Sequence, residues 1–543
     1  MERRFMLVRA AQNDLNVMRL NQDSRLVFAI VVLSAVLQII LAGRSGLWPD
    51  EVFSLAMATG HSLEHPAAAA DPAKGDFVEG DHPVPADEFR RYLKHNDPPS
   101  GPGHVTRAVL LSDTSPPLYY LLLYAWTLIL GTSDITLRLF SIVCSLACLP
   151  LLFNVARRTG GREAAFACCV LYAFSPLALY YSTEGRMYSL LWLCVLATMW
   201  ASLVLQELGG GIAMYGFWIV ASTAGFLTHY FFVFPWVAIV AYLLIAPGSL
   251  ARVHVAACVL LIAVLILPWY INLPASLEGW RITKDWLKWQ PRGFDRLTAS
   301  GNLMLQFFYW HNKVWLQRAI FEVTALILFA LILVAMAWRL RFHIFDGRRR
   351  LLWLVFAGAC AGPLVFDLVQ HTYTIDVPRY AITALPSAYL LAAVGLACMN
   401  LRLRVIVVGL IVVTWMPNIL CIYSSRLPSL PMREIAWAAS AHSRPSDLIL
   451  VHSIPSGVLG VARYATGPAP LAAWIGQLGN RRVPDSVRAL ATGRTQIVFV
   501  EVHGVREPAP EERWLRANAL VRSETRLGSG RIVDFQPVNS KTF

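Results

Sequence analysis

Charge is what this chain has little of. Asp, Glu, Lys and Arg make up 15% of its 543 residues, against about 25% in ordinary soluble proteins. With 56% hydrophobic residues, that scarcity excludes a disordered chain, a fibrous protein and a cytosolic enzyme together. There is no Walker A loop, H-E-x-x-H helix, dinucleotide fingerprint or G-x-S-x-G elbow, so nucleotide-driven pumping and serine-triad hydrolysis lose support. No C-x-x-C occurs, and the nine cysteines (144, 148, 168, 169, 194, 258, 360, 398 and 421) all lie in or beside apolar segments. Small buried hydrophobes are expected there, rather than disulfides or thiolate metal sites. A cleavable leader is not expected either. The first 25 residues are polar and contain Arg3, Arg4, Arg9, Arg19 and Arg25, so the first span should act as an uncleaved anchor that starts in the cytoplasm.

What the chain does have is a series of apolar runs near 20 residues long, each about one hydrocarbon thickness. The expected class is a mainly α, polytopic membrane protein. Eleven spans are placed near 26–46, 136–156, 164–181, 187–206, 213–230, 232–247, 254–271, 319–338, 351–369, 381–399 and 405–422. With residues 1–25 inside, the connections 157–163, 207–212, 248–253, 339–350 and 400–404 collect Arg157, Arg158, Arg162, Arg252, Arg339, Arg341, Arg348, Arg349, Arg350, Arg402 and Arg404. The short outer turn 182–186 has a single arginine, Arg186. That asymmetry follows the positive-inside rule, and an odd span count puts the C-terminus outside.

Three outer regions exceed a turn. In the first, 47–135, the stretch 61–104 is rich in Ala, Pro, Asp and His and reads as a weakly ordered surface insertion. The 15-residue apolar piece Pro117–Gly131 is too short to span and reads as an interfacial helix, with Tyr119, Tyr120, Tyr124 and Trp126 at headgroup level. The second, 272–318, also looks interfacial, with Trp280, Trp286, Trp289, Trp310 and Trp315. The third, 423–543, has strand-like runs at Leu448–Val451, Gln496–Val502 and Arg531–Phe535 and a helix-like run at Arg433–Ala441, giving a small α/β domain. From Arg426 onward this tail has 15 Lys and Arg against nine Asp and Glu, a basic surface suited to anionic headgroups or glycolipid, to another partner, or simply to solubility. Nowhere does a basic helix alternate with exposed aromatics, so no nucleic acid is expected.

Ionisable residues at membrane depth are functional candidates by default. Asp50 and Glu51 follow span 1 in Gly46-Leu-Trp-Pro-Asp-Glu-Val-Phe. A carboxylate there can take a proton from an incoming hydroxyl, and helix capping by two acids after Pro49 is the bland alternative. Tyr180-Tyr-Ser-Thr-Glu-Gly-Arg-Met-Tyr188 fills the outer turn between spans 3 and 4 and puts Glu184 on the same face as Asp50. Its alternative is a local Glu184–Arg186 pair among anchoring tyrosines. Asp376-Val-Pro-Arg-Tyr380 opens span 10, where Arg379 is suited to forked contact with phosphate or to snorkelling. His229 stands at an outer helix end as a packing residue or a substrate contact. Histidines 61, 65, 82, 95 and 104 match no metal spacing, so no metal or other cofactor is expected. A membrane enzyme whose acids all face outward needs a substrate already activated on that side, and a sugar on a polyprenyl phosphate meets that need.

These motifs together resemble the C-type (GT-C) integral-membrane glycosyltransferases, in the branch of protein O-mannosyltransferases and lipid A aminoarabinose transferases. The resemblance rests on the Asp-Glu after span 1, Ser115-Pro-Pro-Leu-Tyr-Tyr120, Leu137-Arg-Leu139, Tyr181-Ser-Thr-Glu-Gly-Arg-Met-Tyr188, and Arg379-Tyr380 with Pro386 beyond. It implies an inverting transferase at the periplasmic face of a bacterial inner membrane. Its donor would be a polyprenyl-phosphate sugar and its acceptor a glycolipid, glycan or protein. By that resemblance Asp50 is the catalytic acid position, Glu51 completes its motif and Glu184 is a second acid. Arg379 and Tyr380 sit by the donor phosphate, with Arg186 and Arg138 as further cations, while Tyr181, Tyr188 and His229 line the pocket. The competing classes are a lipid-linked glycan transporter or flippase, which should show matching halves, and an O-antigen-ligase-like transferase, which would leave the acidic pair idle.

Overall fold

A computed structural model describes all residues except 1, 44, 64–69, 113–114, 210, 246–250, 275–293, 311–318, 425–430, 442, 503–508 and 539–541. Seven described helices are long and apolar enough to cross a membrane, the first being the apolar part of α1 (Glu2–Ala42). The apolar helices Leu118–Leu130, Ile212–Phe226, Tyr230–Ile245 and Ile382–Ala397 are shorter. By length and composition the chain is thus polytopic, and these seven helices cover eight of the expected eleven spans, because Asp134–Phe174 holds two of them.

The segment Asp134–Phe174 is a folded-back hairpin. Gly161 leaves helical geometry at φ +86°, ψ −177°, a region open to glycine because it has no Cβ. Beyond it the chain returns along itself. Ser145 and Tyr172 share a hydrogen bond at 2.9 Å, the Cys169 thiol reaches Leu149 O at 3.6 Å, and the Phe153 and Phe166 rings lie 5.3 Å apart. In a straight helix Ser145 and Tyr172 would be roughly 40 Å apart. The expected spans 136–156 and 164–181 correspond to the two arms. The helix Leu385–Ala397, nearly all of it buried, packs against this hairpin and makes the centre of the bundle.

Arginine-rich connections meet at the Gly161 end. Arg162 pairs with Asp23 at 2.7 Å, Arg348 with Glu207 at 3.0 Å, and Arg158 and Arg404 bind Glu207 and Glu163. The loops 157–163, 339–350 and 400–404 thereby lend cations to neighbouring acids at one end of the bundle. The Asp134 end carries everything described below.

Outside the bundle the tail folds into a five-stranded sheet of order β2-β1-β3-β5-β4 (Leu448–His452, Leu471–Trp474, Ile497–Glu501, Ala519–Leu527 and Gly530–Pro537, numbered along the chain). The first three strands are parallel and the last two antiparallel. Fully buried runs in β1, β2 and β3 fit a parallel sheet covered on both faces. All three strand-like runs of the sequence lie within or around these strands, and Met432–Ser440 is the helix.

Two expectations about the first outer loop are corrected. The described part of 61–104 is built into the fold, not loosely ordered over it. Asp76, fully buried, takes both Arg107 Nη groups (2.5 and 2.6 Å) and the Ser62 hydroxyl (2.6 Å), over a core of Leu63, Phe77, Phe89, Tyr92 and Leu93. Apolar residues spaced among Ala, Pro and Asp were hidden by composition. Val84 pairs with Leu471 and closes the β2 edge. The helix Leu118–Leu130 exposes Leu122, Leu128, Ile129 and Leu130, as an interfacial helix should, but Tyr119 and Tyr120 are fully buried against the bundle and have no surface to offer to headgroups. Of the expected interfacial tryptophans, 280, 286, 289 and 315 lie outside the described residues. Trp310 is buried, its ring 4.8 Å from Tyr180.

Candidate functional site

At the Asp134 end, helix α2 (Pro49–Ala58) starts with Pro49, Asp50 and Glu51 in its first turn. Proline suits that position because its missing N–H has no partner to lose there. Glu51 reaches back to the Trp48 N–H at 3.2 Å, the reciprocal contact of a capping box. Its carboxylate also accepts two bonds from Arg138 (2.7 Å each) and one from the Gly185 N–H (2.8 Å). Arg138 spends its other three N–H groups on the carbonyls of Ala42, Ser45 and Gly46 at 2.7–2.9 Å.

That accounting corrects two assignments. A guanidinium has five donors, and all five of Arg138 are committed inside a site where it is 2% exposed, so it has none left for a donor phosphate. Glu51, 1% exposed with four donors on it, cannot accept a substrate proton without releasing the clamp. Both hold the site together: one buried ion pair joins the end of α1, the start of α2, the hairpin and the Glu184 turn. The capping alternative describes Glu51, while the Asp50 side chain pairs with Arg379.

Asp50 remains one-third exposed and forms an ion pair with Arg379 Nη1 at 2.9 Å. Arg379 comes from a loop of short 3-10 turns between Gln370 and Leu385. Asp367 builds that loop. Fully buried at the end of a long apolar helix, it accepts Thr372 Oγ1 (2.6 Å), Thr374 N and Oγ1 (2.8 Å each) and Ile375 N (2.9 Å). Trp192 Nε1 fixes the far side on Ile382 O at 2.8 Å. The Arg379 guanidinium lies 5.3 Å from the Tyr380 ring, which packs 5.4 Å from Phe231.

Glu184 stands between these parts in a tight turn. A Cβ on Gly185 would come within 2.5 Å of the Leu137 side chain, so only glycine lets its N–H approach Glu51. Glu184 is 3% exposed, and neither carboxylate oxygen has a hydrogen-bond partner among the described residues. Burial, reinforced by the Glu51 and Asp50 carboxylates, pushes it up to about 8, with Arg186 and Arg379 pulling the other way. At neutral pH it is a protonated acid able to donate as well as accept. Arg186 Nη1 reaches Ser54 Oγ at 3.0 Å and Tyr120 OH and Asp50 O at 3.4 Å. Tyr181 and Tyr188 meet edge-to-face at 4.9 Å, and His229 uses Nδ1 to accept the Phe231 N–H at 3.1 Å, within electrostatic reach of Arg186 and Arg379.

The fold therefore brings Asp50, Glu184, Arg186, Arg379, Tyr380, Tyr181, Tyr188 and His229 into one cluster, together with the Glu51–Arg138 clamp. Sequence reasoning missed Ser54, Tyr120 and Asp367. Asp367 carried a signal, an acid inside an apolar run. Ser54 lies one turn beyond Asp50. Among the described residues no three His, Cys, Asp or Glu side chains are grouped to hold a metal ion.

Comparison with known proteins locates this arrangement. Residues 114–271 match the family described as dolichyl-phosphate-mannose-protein mannosyltransferase, a stretch that includes Arg138, Glu184, Arg186 and His229. The comparison with curated proteins found no match. Among solved structures, ArnT from Cupriavidus metallidurans bound to undecaprenyl phosphate superposes with a TM-score of 0.58 at 15% identity, covering 95% of this chain and 99% of that one. The same protein in the apo state gives 0.58 at 14%, covering 95% and 98%. The chain has the fold of these ArnT structures, and its residues 114–271 are similar in sequence to the dolichyl-phosphate-mannose-protein mannosyltransferase family.

Proposed function

We propose that this protein is an inverting glycosyltransferase that moves a sugar from a polyprenyl-phosphate donor to a glycolipid, glycan or protein acceptor at the periplasmic face of a bacterial inner membrane. The observation that carries this reading is the Asp50–Arg379 ion pair beside the Glu184 carboxyl, which has no hydrogen-bond partner among the described residues, at the end of the bundle opposite the arginine-rich connections. Arginine in short loops favours the cytoplasmic side, which supports an outer position for the cluster. If both arms of the hairpin and the apolar helices Ile212–Phe226, Tyr230–Ile245 and Ile382–Ala397 all cross, the count is eleven, which agrees with an N-terminus inside and a sheet outside. The undecaprenyl phosphate bound to the ArnT neighbour supports a donor of the same chemistry.

In the reaction the acceptor hydroxyl oxygen bonds to the anomeric carbon as the bond from that carbon to the phosphate oxygen breaks. The hydroxyl proton passes to Asp50, and the electron pair leaves with the polyprenyl phosphate. A positioned base supplies about 10²–10⁴-fold. Arg379 and Arg186 neutralise charge developing on the leaving phosphate, a form of stabilisation that is strong where water is excluded. Protonated Glu184 donates a hydrogen bond to a donor oxygen without adding negative charge near the phosphate, and Tyr181, Tyr188, Tyr380 and His229 enclose the sugar.

Mass spectrometry of envelope glycolipids, polysaccharides and glycoproteins with and without the gene tests the reading. One acceptor class should lose the mass of a single sugar, and the purified protein in liposomes should release polyprenyl phosphate from its donor. Unchanged envelopes and no release from any polyprenyl-phosphate sugar would overturn it.

A further inference from the structure

Among the described residues the tail meets the backbone leading into the cluster through its helix Pro455–Tyr464, which also packs against α2. Tyr464 and Arg463 end the helix Pro455–Tyr464, which crosses from β1 to β2. The Tyr464 hydroxyl donates to Asp134 Oδ2 and accepts the Leu47 N–H at 2.7 Å. Arg463 holds Asp134 Oδ1 through Nε and Thr132 O through Nη2, both at 2.8 Å. At Gly46 the contact is so close that a Cβ would lie 2.8 Å from Arg433 Cβ and 3.1 Å from the Tyr464 ring. The neighbouring Gly46 carbonyl is one of the three that Arg138 binds, and Arg138 in turn holds Glu51, next to Asp50. The path from the sheet to the base is therefore Tyr464, the Gly46–Leu47 backbone, Arg138 and Glu51, each joined to the next by a hydrogen bond or a peptide bond.

We infer that Tyr464 is a positioning residue for the transfer reaction: through Leu47 and Asp134 the C-terminal sheet domain fixes the loop that presents Asp50, so the tail completes the active site. The segment 45–48 has no regular structure of its own. Its backbone is held by Arg138 from the bundle side and by Tyr464 from the tail side. Without the phenol the Leu47 N–H loses its acceptor, Asp134 loses one of its donors, and Asp50 samples positions away from Arg379. Catalysis is sensitive to such shifts, since a misplacement near 1 Å can cost about 10²-fold.

The inference rests on the transferase reading, and the test separates the two. Tyr464→Phe keeps the ring against Gly46 and removes only the hydroxyl. In full-length protein, kcat for release of polyprenyl phosphate should fall about tenfold, the scale of one or two lost hydrogen bonds, with KM for the donor within about twofold. Hydrogen–deuterium exchange should quicken over residues 45–52 and stay unchanged over β1 and β3. Adding Glu51→Gln should make the two losses less than additive, because both act on the same loop. Unchanged exchange at 45–52, or unchanged kcat, would overturn the inference. If the unsubstituted protein turns over no donor at all, the transferase reading falls, and the exchange measurement still decides whether Tyr464 holds the loop.

Discussion

Glu184→Gln is the sharpest probe of the site. The carboxyl group is buried without a partner among the described residues and titrates near 8, so at pH 7 roughly nine in ten molecules hold it protonated and at pH 9 about one in ten do. If the neutral acid is the working form, kcat/KM falls about tenfold from pH 7 to pH 9. Glutamine has the same size, also donates and accepts, and does not ionise. The variant should retain activity within a few fold at pH 7 and lose less than about twofold by pH 9. Stability should follow the same logic. The folded value lies above the ordinary 4.5, so the contribution of the protonated group is fully present below pH 4.5 and is lost as pH rises to 8. The melting temperature of the native protein should decline across that window, and that of the variant should decline less. Donor-release kinetics in liposomes and melting by intrinsic fluorescence give both curves. A variant inactive at pH 7, or one with an undiminished alkaline decline, would refute the protonated-acid role.

Asp50→Asn should lower turnover by about 10²–10⁴-fold with donor binding intact, the loss expected of a base; near-normal turnover in single-turnover assays would remove the assignment. Arg379→Ala should weaken binding of polyprenyl phosphate about tenfold or more, measured by lipid titration, because a charge-assisted contact is lost. Gly185→Ala should destabilise by about 1–3 kcal/mol through overpacking on Leu137, and Leu137→Ala in the same chain should restore part of the melting temperature. Arg138→Met should cost about 3–5 kcal/mol by stranding the buried Glu51 carboxylate, so its signature is poor folding on thermal melts rather than a selective loss of lipid affinity.

Much of this was legible along the chain because membrane segments and ionisable residues stand out against each other. The hairpin arms, the short apolar helix and the strands β1, β3 and β5 announce themselves by their apolar runs, whereas β2 and β4 do not. The cluster at Asp50, Glu184 and Arg379 announces itself by rare charge at outer helix ends. Partnership was not legible. Arg138 and Arg186 look alike in sequence, and only the count of their hydrogen-bond acceptors makes one a clamp and leaves the other beside Asp50. Tyr119 and Tyr120 were placed by the shortness of their apolar run and the preference of tyrosine for membrane interfaces, neither of which names what covers them. The 61–104 segment was misjudged because its order comes from Asp76 with Arg107 and from contact with a strand nearly 400 residues away, which no local composition can report.

That distant contact has a practical consequence. Val84 supplies the antiparallel partner that closes the outer side of β2, and Glu79 takes the Ile475 N–H just past it. A fragment beginning near residue 432 would bare a strand edge made of Leu471, Ala472, Ala473 and Trp474, the kind of surface that recruits other chains. Such a fragment would precipitate or form dimers when expressed by itself, and a peptide spanning 70–112 supplied in trans would return it to solution as a monomer.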